Sequence, residues 1–294
     1  MNIPRCDQRR LENVCEVAIR KLKGGNIMAD ISQIDYRIFD KPEILNYLFY
    51  PRREEGSFRP GGDVHELQIP VDDHVTIGAR FYHAQKSAPT ILFFHGNGEI
   101  VADYDEIGPI YIQTGANFLP VDYRGYGRST GTPTVTGMMR DSHVIFEYIS
   151  DWLDEGDFTG PLIIMGRSLG SAPALELAEQ YKDRIDGLII DSGFAYLLPL
   201  LRLIGVSLSR MDITEEDGCR NIEKIRTFEK PTLIIHAQFD HIIPFTDGEA
   251  LYGACVSRNK RFLMIPEADH NTIFMRGFRA YMSAIADFLQ LITG

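Results

Sequence analysis

Apolar positions follow two different rhythms along this chain. At 64–69 and 75–82 they alternate with polar residues on either side of Asp72-Asp73, as in two antiparallel strands joined by a turn. From Thr90 onward they gather into short unbroken runs, at 90–94, 117–121, 162–165, 187–190, 232–235 and 262–265. Unbroken runs of that length suit parallel strands buried on both faces. Helical spacing fills the intervals at about 100–114, 136–153, 169–182, 245–256 and 272–291. Strand alternating with helix predicts an α/β fold, with a mostly parallel sheet flanked by helices. One insertion interrupts the alternation, a short cap over 193–228. Ahead of the pattern, Leu11, Val14, Cys15, Ala18 and Leu22 recur at helical spacing until Gly24-Gly25 stops them. Residues 1–63 therefore read as an N-terminal extension, a leader helix and linker, before one domain over 64–294.

In an open parallel sheet the chemistry collects beyond the carboxyl ends of the strands. The residues found there are His95-Gly96-Asn97-Gly98, Asp122, Gly166-Arg167-Ser168-Leu169-Gly170, Asp191, Asp240 and His270. Ser168 stands between two glycines, after an apolar strand and before a helical stretch. This is the setting of a nucleophile held on a strained strand-to-helix turn. A serine hydroxyl needs a base, and His270, in the loop between the last strand and the last helix, can swing back over the turn. His95 is the competing histidine, but its glycine neighbours fit a backbone-shaping role. The imidazole in turn needs a carboxylate to fix its tautomer. Asp240, after the strand at 232–236, is preferred, with Asp191 in reserve. An oxyanion hole is expected from the backbone N–H groups of Leu169 and Asn97, the latter flanked by Gly96 and Gly98.

Composition narrows the class without choosing the chemistry. The 294 residues are 44% hydrophobic and 24% charged, which excludes disordered, collagen-like and coiled-coil chains. A net charge of -11 disfavours nucleic acid as a partner. Cys6, Cys15, Cys219 and Cys255 lie far apart with no CxxC and no zinc spacing, the usage of reduced thiols. Asp122 has no partner at ligand spacing, so no metal site is expected. No run approaches the ~18 apolar residues of a membrane span, and the longest apolar stretch, 195–208, is broken by Pro199, Arg202 and Gly205. The N-terminus lacks a signal-peptide core, and Asp7, Glu12 and Glu16 argue against a transit peptide. The expectation is a cytoplasmic protein with no integral membrane segment. Its oligomeric state leaves no mark on the sequence.

His95-Gly96-Asn97-Gly98, the stretch from Asp122 to Ser129 (DYRGYGRS), the Ser168 turn, Asp240 and His270, in that order, resemble the serine hydrolases of the α/β-hydrolase superfamily. Within it the chain is similar to the branch of α/β-hydrolase-domain proteins and depalmitoylase-like enzymes. The resemblance covers about residues 64–291. It implies an α/β-hydrolase fold with an eight-stranded sheet, a Ser168–His270–Asp240 triad and no cofactor. It also makes the Asp122–Ser129 stretch a structural turn near the site. A serine at the turn separates the chain from the epoxide-hydrolase and haloalkane-dehalogenase branches, which carry aspartate there.

The expected activity is hydrolysis of a small-molecule ester or acyl substrate, a carboxylic ester or thioester, through an acyl-enzyme. The same machinery serves a peptidase or amidase, and the scaffold also serves non-catalytic ligand binding. Within the cap, Phe194, Tyr196 and Leu197 are the candidate substrate-binding residues. An apolar helical stripe equally describes side chains that only pack the cap onto the sheet.

Overall fold

The computed structural model describes residues 31–56, 64–209 and 211–294. The leader helix expected within 1–30 lies outside the described residues. Strands β1 (Val64–Asp72) and β2 (Val75–Tyr82) form the expected hairpin, with a register irregularity between Pro70 and Asp72. They are followed by β3 (Thr90–Phe94), β4 (Asn117–Val121), β5 (Leu162–Arg167), β6 (Gly187–Asp191), β7 (Thr232–Ala237) and β8 (Lys260–Ile265). Among the described residues these make one eight-stranded sheet in the order β1-β2-β4-β3-β5-β6-β7-β8. Strands β3 to β8 are mutually parallel, and β2 lies antiparallel to β4.

β3 pairs with β4 on one side and β5 on the other, so the winding reverses there, the point at which open α/β sheets place their ligands. Alternation along β3 divides the core. Leu92 and Phe94 join one apolar cluster, while Ile91 and Phe93 join another on the opposite face. Helices α1 (Pro42–Leu48), α3 (Val135–Glu155), α4 (Ser171–Gln180) and α5 (Leu197–Leu203) contribute to the first cluster. Helices α2 (Gly108–Gln113) and α8 (Ile273–Thr293) contribute to the second. Two further helices, α6 (Asn221–Ile225) and α7 (Phe245–Ala254), lie on either side of β7 in the chain.

The helix expected at 100–114 divides in two. A 3-10 turn occupies Val101–Tyr104, and α2 restarts at Gly108 with Pro109 in its first turn, where a missing N–H costs nothing. Gly108 also lets α2 approach β2, because a Cβ there would collide with the Tyr82 ring.

Residues 31–56, grouped by sequence with the linker, pack onto the domain. Phe39, Ile44, Leu48 and Phe49 are buried in the same cluster as Leu92 and Phe94. Asp40 Oδ1 accepts from the backbone N–H of Val135 at 2.7 Å, capping the start of α3. Arg53 bridges to Gly127 alongside the Asp122–Ser129 turn.

Candidate active site

The chain leaves β5 at Arg167 and turns sharply at Ser168, which has φ 52° and opens the 3-10 turn Ser168–Gly170 ahead of α4. A left-handed non-glycine residue costs of order 1–3 kcal/mol, which the surroundings must offset. Both flanking glycines are required by close approach. A Cβ on Gly166 would run into the Gly170 carbonyl, and one on Gly170 into the Phe94 carbonyl at the end of β3. The Ser171 hydroxyl donates to the Ser168 carbonyl at 2.7 Å and fastens the turn to α4.

His270 lies between β8 and α8, in a loop shaped by Asp269. Asp269 Oδ1 accepts from the Asn271 and Thr272 N–H groups at 3.0 and 2.9 Å. The Phe239 N–H donates to the Ala268 carbonyl at 2.8 Å, so this loop and the one after β7 hold each other. Asp240 stands on that second loop. Its Oδ1 accepts from the N–H groups of Ile242 and Ile243 at 3.0 and 2.8 Å.

Its other oxygen, Oδ2, lies 2.7 Å from His270 Nδ1, while His270 Nε2 lies 2.9 Å from Ser168 Oγ. All three residues are buried. Burial alone would raise the Asp240 carboxyl, but the hydrogen bond and charge of His270 and the Ile243 N–H hold it below its ordinary value. An ionised carboxylate can only accept, so Nδ1 carries the imidazole proton and donates it. In the neutral ring Nε2 then has a free lone pair, and the Ser168 hydroxyl donates to it.

The other candidates take different places. His95 is buried, with Nδ1 2.8 Å from the Gly96 carbonyl and its ring against Tyr123 and Tyr126. Asp122 Oδ1 accepts from the Val101 N–H at 3.0 Å, beneath the turn that follows β4. Asp191 does not reach His270's ring. Its Oδ2 accepts from Arg167 Nη1 at 3.3 Å and from the Tyr281 hydroxyl at 3.0 Å. Leu169 sits in the first turn after β5, where N–H groups have no intrahelical acceptor. The Asn97 side chain is fixed from below, Oδ1 accepting from the Tyr50 N–H and the Tyr126 hydroxyl, each at 2.7 Å.

The three cap residues separate. Phe194 and Leu197 are 1% and 2% exposed and belong to the core, so they pack the cap onto the sheet instead of lining an open pocket. Tyr196 is 43% exposed. Sequence reasoning missed Tyr50, 73% exposed beside the Asn97-Gly98 turn, because it lies in the stretch taken for a linker.

A cavity of about 1000 Å³ opens elsewhere, lined in part by Tyr36, His143, Glu176 and Lys224 and by none of Ser168, Asp240 or His270. Within its lining, Glu176 pairs with both Lys224 and His143. Among the described residues, no group of three or more His, Cys, Asp or Glu side chains is placed to hold a metal ion. Nor is any helix there long and apolar enough to cross a membrane.

A parallel sheet with its strand-end serine, imidazole and carboxylate in hydrogen-bonded series defines the α/β-hydrolase architecture. Comparison with known proteins agrees. A family model described as serine aminopeptidase, S33, matches residues 85–210. Protein bem46 of Schizosaccharomyces pombe is 29% identical over 234 residues, covering 76% of this chain and 75% of that protein. The human α/β hydrolase domain-containing protein 17B is 30% identical over 208 residues, covering 68% and 66%. Among solved structures, a Pyrococcus furiosus esterase superposes with a TM-score of 0.68 at 17% identity, covering 83% of this chain and 99% of its own. The chain belongs to the α/β-hydrolase superfamily, and its class of activity is hydrolysis.

Proposed function

We propose that this chain is a serine hydrolase that cleaves carboxylic ester or thioester bonds of small acyl substrates through an acyl-enzyme. The observation that carries the reading is one imidazole joined to a buried carboxylate on one side and to the hydroxyl of a strained serine on the other. As the Ser168 oxygen attacks the substrate carbonyl, its proton passes to His270 Nε2, and Asp240 stabilises the imidazolium. The carbonyl oxygen takes up the electron pair and is held by the N–H groups of Leu169 and Asn97, each such donor typically worth about 3 kcal/mol. Collapse of the tetrahedral intermediate breaks the bond to the leaving alcohol or thiol, which receives the proton from His270. A water molecule then repeats the sequence on the acyl-enzyme and frees the acid and Ser168.

Tyr50, exposed beside the Asn97-Gly98 turn, is assigned to the mouth of the acyl site, and Tyr196 is kept as the cap's exposed candidate for the acyl group. Amide cleavage is the second reading, favoured by the family model's description as a serine aminopeptidase. A matched ester and amide pair separates the two. A reducing, cytoplasmic setting suits Cys219 and Cys255, which are buried and unbridged.

The test is a fluorophosphonate probe together with p-nitrophenyl esters of rising chain length. Wild type should label and turn over the esters, and Ser168→Ala should do neither. Equal labelling of the two proteins would reject the assignment.

A further inference from the structure

The variable position of the nucleophile turn carries Arg167, whose side chain is only 12% exposed. Its guanidinium reaches three separate segments. Nε donates to Glu99 Oε1 at 2.8 Å, Nη2 to the His270 carbonyl at 2.8 Å, and Nη1 to Asp191 Oδ2 at 3.3 Å. Each arm continues into the site. Glu99 Oε2 accepts from the Gly96 N–H at 2.8 Å and from the Tyr104 hydroxyl at 2.6 Å, so it shapes the loop that presents Asn97. The His270 carbonyl belongs to the proposed base itself. Asp191 ends β6 and also takes the Tyr281 hydroxyl of α8.

We propose that Arg167 is a positioning residue that holds the base loop, the oxyanion loop and the nucleophile turn in one register. The inference rests on the serine-hydrolase reading above. Its physical basis is the shape of the group. A planar guanidinium offers N–H donors in fixed, divergent directions, whereas an ammonium is a point charge on a flexible stem. The three acceptors belong to residues 68, 103 and 24 positions away along the chain, so no local turn could hold them together. Reaction geometry is sensitive on this scale, because a misplacement of about 1 Å can cost on the order of 100-fold in rate. Burial opposes the charge, but Glu99 and Asp191 on either side keep the guanidinium pKa well above its ordinary value. The fork therefore stays charged, with an anionic partner on two of its three arms.

Three variants test the assignment against wild type, with Ser168→Ala as the blank. Arg167→Met removes all arms, Arg167→Lys keeps the charge but loses the fork, and Glu99→Gln alters only the oxyanion arm. The readouts are kcat and KM on a p-nitrophenyl ester, the rate of fluorophosphonate labelling, and the thermal midpoint. We expect Arg167→Lys to lose at least ten-fold in kcat and in labelling rate, with KM within about two-fold and a cooperative melt retained. Glu99→Gln should fall between it and wild type, and Arg167→Met should be no better than Arg167→Lys. If Arg167→Met does not fold, Arg167→Lys and Glu99→Gln decide the matter. Wild-type kcat and labelling in a folded Arg167→Lys, or a loss confined to KM, would overturn the proposal. Should wild type itself fail to label, the serine-hydrolase reading fails first, a separate result.

Discussion

Replacing Asp240 by asparagine isolates one proton. Asn keeps the size of Asp and an amide oxygen that can go on accepting from the Ile242 and Ile243 N–H groups, so the loop after β7 should survive. The 2.7 Å contact with His270 Nδ1 changes character, as does the longer 3.7 Å approach to His236 Nε2. An amide NH2 facing Nδ1 donates, so Nδ1 must accept, and the ring proton moves to Nε2. Nε2 then lies 2.9 Å from Ser168 Oγ as a donor and cannot take the hydroxyl proton. The imidazolium formed during attack also loses its counter-charge in a buried setting. A wrong tautomer in such a series costs about 10,000-fold in kcat, or about 5 kcal/mol of transition-state stabilisation. The assay is kcat on a p-nitrophenyl ester for Asp240→Asn beside Asp191→Asn, with thermal melts to show that both fold. Asp191→Asn should lose far less, since it touches Arg167 and Tyr281 and not the imidazole. A ten-fold or smaller loss in Asp240→Asn would refute the tautomer reasoning, and only a loss in Asp191→Asn exceeding that in Asp240→Asn would move the role to Asp191.

Two further outcomes concern acid stability and the cap. Burial would raise the Glu176 carboxyl, but His143 and the Lys224 ammonium hold it at about 2 instead of 4.5. Its folded value thus lies below its unfolded one, so its contribution, about 3 kcal/mol, is complete above about pH 4.5 and drains away as pH falls towards 2. Urea unfolding at pH 7 and pH 3 should show Glu176→Gln less stable at pH 7 by about 3 kcal/mol, with a smaller drop to pH 3 than wild type. An unchanged pH dependence would count against the pairing. In the cap, Phe194→Ala should cost about 3–5 kcal/mol of stability. Tyr196→Ala should shift stability by under about 1 kcal/mol and raise KM for the longer esters; equal stability losses would contradict the placement of the two rings.

The sheet was legible because each strand announces itself by a local pattern. β2, β3 and β4 begin and end where their apolar stretches do, while β5, β6 and β7 run one or two residues further, into the residues that carry polar side chains. Ser168, Asp240 and His270 were legible for a different reason, since each follows a strand and the fold class says where strand ends gather. What sequence could not supply was the identity of partners. Leu197 and Tyr196 are adjacent and equally suited to a pocket by composition, yet one is buried beneath the cap and the other faces outward. Residues 31–56 show no strand rhythm, so nothing local revealed that Phe39 and Ile44 complete the core or that Tyr50 meets Asn97. Arg167 was in plain view inside the turn motif, but its function depends on three acceptors that only the folded chain brings together.

The choice between the two aspartates turns on how far each lies past its strand. Asp191 is still in register as the last residue of β6, paired with Arg167 on β5. Alternation puts its side chain on the same face as Ile189, towards α8, where the Tyr281 hydroxyl and the guanidinium await it. From there it cannot rise above the sheet edge to an imidazole poised over Ser168. Asp240 comes three positions after Ala237, the end of β7, and that extra length lets the chain climb out of the sheet before the Ile242 and Ile243 amides catch the carboxylate. β7 is also one strand further from β5 than β6 is, which leaves room between carboxylate and serine for a whole imidazole ring. The same spacing leaves Asp191 against Arg167 and, in the mechanism proposed above, Asp240 to orient His270 as the base. Two carboxylates after neighbouring strands therefore reach His270 differently, one through its ring and the other through the guanidinium that donates to its carbonyl, which is why the proposed triad takes Asp240.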